Sequence, residues 1–141
     1  MNQTRKKGGI YMMLICDGGC KSNGNSATRM DWKVYDVAKK EVIISKSVNA
    51  IKENGKQLEL TNNKAELCAL VEAARFASWN STIKTDSNVV LAWVKNGLPP
   101  KSKVKDREFV LRGIKAAQEL IARKKLTIIK FTGDVNPADC K

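Results

Sequence analysis

Thr61-Asn62-Asn63-Lys64-Ala65-Glu66-Leu67 is the stretch on which the reading of this chain turns. A polar run opens a segment whose apolar residues, Leu67, Leu70, Val71, Ala74 and Ala77, recur at helical spacing, which predicts a helix over 63–78. Glu66 stands in its first turn. Three other runs put a carboxylate in a comparable position: Cys16-Asp17-Gly18-Gly19 where an apolar segment ends, Thr85-Asp86-Ser87 where a helix begins, and Asn136-Pro137-Ala138-Asp139 near the C-terminus. With 14 acidic residues against 26 basic ones, acids at element ends beside apolar runs stand out.

The 141 residues fit one domain, long enough to bury about two thirds of its unfolded surface. A hydrophobic share of 43% and a charged share of 28% are ordinary for a soluble globular protein. The net charge of +12 is not ordinary, and it points to a polyanionic partner, nucleic acid ahead of a membrane surface. A basic surface that serves only solubility is the bland alternative. Residues 1–9 read as a flexible basic tail and 10–141 as a single domain. The apolar run Ile10–Cys16 meets Asp17 without a small-residue cleavage site, so it reads as a buried strand rather than a signal peptide. No apolar run approaches the length of a bilayer span.

Cys16, Cys20, Cys68 and Cys140 form no C-x-x-C pair, and the chain has no histidine, which argues against a zinc site and excludes histidine catalysis. A reducing cytoplasm is the expected compartment. Along the chain, Met30, Trp32, Val34 and Asp36 alternate, and 10–17, 27–37 and 41–51 read as an antiparallel meander. Residues 52–60 read as a polar connection. After the first helix come a short strand over 82–85, a helix from Ser87 to its stop at Gly97, a long helix over 105–124 and a last strand over 126–131. Trp93 fits the apolar stripe of its helix and is expected in the core. The order βββαβααβ implies a mixed sheet with helices on its faces.

Each acid also has a structural explanation. Asp17 before Gly-Gly suits a turn. Glu66 follows Asn63 at capping-box spacing, and Asp86 lies beside Ser87, a natural N-cap. Asp139 follows Pro137, as in the first turn of a helix. Their combination and order carry more: strand–Asp-Gly-Gly, T-N-N-K-A-E-L opening a helix, strand–T-D-S opening a helix, then N-P-A-D. From about Tyr11 to Asp139 this resembles the ribonuclease H family (type 1).

The resemblance implies an α/β, RNase H-like fold, with a five-stranded mixed sheet of three antiparallel strands then two parallel ones, flanked by helices, and a short C-terminal helix carrying Asp139. It implies that Asp17, Glu66, Asp86 and Asp139 are catalytic and hold two Mg²⁺ or Mn²⁺ ions. Hard cations of this kind take oxygen ligands, and a two-ion displacement needs no covalent nucleophile. The implied activity is endoribonucleolytic hydrolysis of the RNA strand of RNA–DNA hybrids, leaving 5′-phosphates. Asn23, Thr61, Asn62, Asn63 and Ser87 are the implied substrate contacts, the Asn and Ser side chains being able to donate to and accept from 2′-hydroxyls. Lys101, Lys103, Lys105, Arg107, Arg112, Lys115, Arg123, Lys124 and Lys125 are candidates for tracking a phosphate backbone, a solvated helix face being the alternative.

Three departures stand out. The loop Thr132-Gly133-Asp134-Val135 lacks the histidine that many relatives carry there. Asp134 competes with Asp139 as fourth ligand. The sequence stops at Lys141, where relatives usually continue the terminal helix; a monomer is expected, and a dimer in which another chain completes that helix is the alternative. Two rival functions stay open: another RNase H-like nuclease of junction-resolvase or integrase type, and a non-catalytic hybrid-binding module.

Overall fold

The computed structural model describes residues 11–21 and 28–140; the expected basic tail and the turn containing Asn23 lie outside them. In chain order the elements are β1 (Met13–Lys21), β2 (Arg29–Asp36), β3 (Glu41–Val48), β4 (Lys52–Glu53), β5 (Lys56–Gln57), α1 (Asn62–Phe76), β6 (Thr82–Thr85), α2 (Asn88–Asn96), α3 (Arg107–Lys124) and β7 (Thr127–Lys130). The main sheet has the order β3-β2-β1-β6-β7, with β1–β2 and β2–β3 antiparallel and β1–β6 and β6–β7 parallel. This is the mixed five-stranded sheet expected from the sequence. Among the described residues no helix is long and apolar enough to cross a membrane.

The alternation on β2 is real: Met30, Trp32, Val34 and Asp36 are all buried. They face α1 together with Leu14 and Cys16 of β1, and Leu67, Leu70, Ile83, Val90 and Val110 complete a core in which none of these five is more than 1% exposed. Trp93 belongs to the same core. Helix α1 approaches β1 so closely that a Cβ on Gly18 would lie 2.2 Å from the Ala65 carbonyl carbon. Only glycine permits that contact.

Strand β1 does not end at Asp17. Its pairing with β2 continues from Gly18↔Trp32 to Lys21↔Arg29, so Asp17 sits mid-strand. Backbone pairing, not side-chain hydrophobicity, extends the strand through the two glycines. The connection over 52–60 contains a small hairpin, β4–β5, turned by Asn54 and Gly55, both at positive φ. That is the twist-compatible turn which an Asn-Gly pair favours. Helix α3 begins at Arg107 rather than 105, because Asp106 holds a left-handed φ of 56° with its carboxylate engaged elsewhere. In place of the expected C-terminal helix, residues 136–140 form a turn. The Asn136 side chain accepts the Ala138 amide at 2.8 Å, and its carbonyl accepts the Asp139 amide at 3.0 Å. Such an Asx arrangement offers the backbone an alternative to helix.

Candidate active site

Asp17 is fully buried at the middle of the central strand, on the face opposite Gly18 and α1. Glu66, 5% exposed, reaches it from α1, where its Oε1 accepts the Gly18 amide at 3.0 Å. Asp86 enters from the segment after β6. Each of the three offers one carboxylate oxygen, and these oxygens all lie within 4.8 Å of one another.

Backbone and neighbouring side chains fix the group. Asp17 Oδ2 accepts the Cys140 amide at 2.8 Å. Asn136 Nδ2 donates to Asp86 Oδ2 at 3.2 Å, and Lys130 Nζ donates to the Asp86 carbonyl oxygen. Behind the cluster, burial first, and then the charges of Glu66, Asp17 and Asp86, push the Cys16 thiol well above its ordinary range. Three carboxylates this close repel one another unless a cation lies among them. The donor set is all oxygen, which suits Mg²⁺ or Mn²⁺ and not a soft metal. The residues present therefore fit a hard divalent cation.

The remaining expected site residues divide. Asp139 is exposed and stands outside the three-carboxylate group, on the turn after Asn136; Asp134 is exposed in the preceding loop. Thr61 is the N-cap of α1, its Oγ1 accepting the Lys64 amide at 3.1 Å. Asn62 Oδ1 accepts the Cys20 amide at 2.8 Å, which ties the start of α1 to the end of β1, while Asn63 is exposed. Ser87 is 8% exposed and caps α2 through the Val90 amide, 3.1 Å from its Oγ. Asn23 is outside the described residues.

The candidate phosphate track loses members to structural work. Lys124 is buried and donates to the carbonyls of Ala74, Arg75 and Ala77 at 2.9, 2.7 and 2.8 Å, closing the C-terminus of α1. Arg112 pairs with Glu53, and Arg107 donates to the carbonyls of Ser102 and Pro99. Lys101, Lys103, Lys105, Lys115, Arg123 and Lys125 stay exposed. Sequence reading gave no role to Asn136, Lys130 or the Cys140 amide. Only Asn136, three residues before Asp139 in the N-P-A-D run, carried a signal.

The family model for RNase H matches residues 10–134. Among solved structures, the N-terminal RNase H domain of a Mycobacterium tuberculosis protein is similar at 16% identity and TM-score 0.61, with 91% of each chain covered. RNase H1 from Halobacterium salinarum is similar at 19% identity and TM-score 0.57, covering 91% of this chain and 90% of that one. LC11-RNase H1, isolated from compost and solved in complex with an RNA/DNA hybrid, is similar at 17% identity and TM-score 0.54, covering 89% and 88%. No curated protein matches the chain at a significant level. The matched model spans most of the chain and the fold agrees with these structures: the chain belongs to the RNase H family.

Proposed function

We propose that this protein is a metal-dependent endoribonuclease that hydrolyses the RNA strand of RNA–DNA hybrids, leaving 5′-phosphate and 3′-hydroxyl ends. The observation that carries the reading is the meeting of Asp17, Glu66 and Asp86 within 4.8 Å, in a family member of net charge +12. That LC11-RNase H1 is solved with a hybrid bound supports the choice of substrate.

In this reading Asp17, Glu66 and Asp86 hold Mg²⁺ or Mn²⁺, with Asp139 completing a site for a second ion. The ions supply Lewis acidity at the phosphodiester and a water activated at neutral pH. The protein's share is placement. The Gly18 amide orients Glu66, the Cys140 amide orients Asp17, and Asn136 orients Asp86. With no histidine in the chain, proton transfer falls to water and carboxylate. Thr61, Asn62 and Asn63, at the mouth of α1, are the proposed contacts to the hybrid, together with Asn23 and Ser87.

The test is incubation of end-labelled hybrid, duplex DNA and a four-way junction with the protein and either metal. Hybrid cleavage confined to the RNA strand is expected. Preferential cutting of the junction would move the reading to a resolvase-type enzyme, and salt-sensitive hybrid binding without cleavage would move it to a binding module.

A further inference from the structure

We propose that the sheet face beside Asp17 is a subsite for a backbone phosphate of the bound nucleic acid, with Lys33 as the residue that positions it. The inference rests on the nuclease reading above and adds a contact to it. Side chains directly opposite on antiparallel strands share a face. Asp17 pairs with Lys33 across β1–β2, and Lys33 pairs with Ser45 across β2–β3. One step along, Gly19, Asp31 and Ser47 form a parallel row on the same face. Helix α1 packs on the other face, at Gly18, so these rows lie on the side away from it.

Arg29, Lys33, Ser45, Ser47 and Asp139 are among the residues that line a cleft of about 460 Å³ there. The cleft adjoins the carboxylate cluster, because Cys140, another lining residue, donates its amide to Asp17. Of the two acids in the rows, Asp17 belongs to the carboxylate cluster, and Asp31 takes the Arg29 guanidinium at 3.0 Å and the Ser47 hydroxyl; Asp139 lines the cleft at its Cys140 end. Lys33 is different. It is half-buried, and no ion pair among the described residues uses it. An ammonium with donors to spare, next to a hydroxyl, suits a phosphodiester oxygen. A strand held at Asp17 reaches Lys33 as the next side chain across the sheet.

Hybrid cleavage measured from low to high salt, with the full chain and the variants Lys33→Gln, Lys33→Arg and Lys39→Ala, tests this. Lys33→Gln is expected to raise KM about tenfold, the size of one charge-assisted hydrogen bond, and to leave kcat unchanged. It should also reduce the salt slope of binding by about one. Lys33→Arg should stay near wild type, and Lys39→Ala, in the exposed turn after β2, should move neither quantity.

Equal KM and slope in Lys33→Gln and wild type overturn the subsite, as does an equal effect from Lys39→Ala. A collapse of kcat in both Lys33 variants assigns the residue to structure and overturns it too. If wild type fails to cleave, the nuclease reading falls, and the same slope comparison, read by fluorescence anisotropy on labelled hybrid, decides the subsite by itself.

Discussion

The Gly18 amide donates to Glu66 at 3.0 Å, and the residue before Gly18 is Asp17, so two consecutive residues of β1 set two of the three clustered carboxylates. The same glycine lets α1 lie against the strand. A methyl at Gly18 would meet Ala65 backbone at 2.2 Å and 2.3 Å, where no side chain can yield. Gly18→Ala is expected to cost about 1–3 kcal/mol as an overpacked site. It should also lower kcat, because the helix that carries Glu66 must move. Chemical denaturation together with hybrid cleavage checks both effects; a variant of unchanged stability and rate contradicts the close approach.

Clustered carboxylates predict a response to metal that does not depend on turnover. Asp86→Asn removes one of three mutually repelling charges, so the metal-free variant should melt at a higher temperature than wild type. Wild type should gain about 2.7 kcal/mol of stability at a Mn²⁺ concentration one hundred times Kd, and the variant much less at the same concentration. Thermal melts with and without Mn²⁺ read this directly.

Lys64, inside the T-N-N-K-A-E run, is buried against Asp106 and the Glu59 carbonyl, with its ammonium 5.9 Å from the centroid of the Phe109 ring. Burial pushes the Asp106 carboxyl up, but the hydrogen bonds from Lys64 and from the Glu59 amide outweigh it and hold the group below its usual range. A depressed folded value means that this carboxylate's contribution is fully present above the ordinary pKa of about 4. It is lost as pH falls through the folded value. Lys64→Met leaves a buried carboxylate unmatched, so a loss of about 3–5 kcal/mol is expected, with acid unfolding moved to higher pH. Urea titrations from neutral to acid pH measure both.

Lys124 lies in the basic run of α3 that suggests phosphate tracking, but its ammonium holds the last carbonyls of α1. Lys124→Met should destabilise the fold by about 1–3 kcal/mol and leave the salt slope of hybrid binding unchanged. Lys125→Met, at an exposed position, should leave stability within about 0.5 kcal/mol of wild type.

Much of this was legible because local pattern and tertiary structure agree. The alternation from Met30 to Asp36 and the helical spacing from Leu67 to Ala77 each encode burial directly, and the order of elements around the acids encodes the sheet. What was not legible depends on partners distant in sequence. Asp106 stands in left-handed backbone just before α3, its carboxylate taken by Lys64 and the Glu59 amide, which no local propensity reports. The role of Lys124 requires knowing where α1 ends in space. The extension of β1 through Gly18 and Gly19 comes from the β2 ladder. The β4–β5 hairpin did leave a sign, Asn54-Gly55, but its strands are two residues each and carry no periodicity. At the C-terminus the proline and acid suggested a helix, and Asn136 spends its side chain on a turn instead.

The most direct measurement is the anomalous scattering of a crystal soaked in Mn²⁺. A manganese peak bonded to oxygens of Asp17, Glu66 and Asp86 together is expected, with any second peak on the Asp139 side. Manganese bound elsewhere, or a well-diffracting soaked crystal with no peak among these three carboxylates, would rule out a metal centre at this cluster.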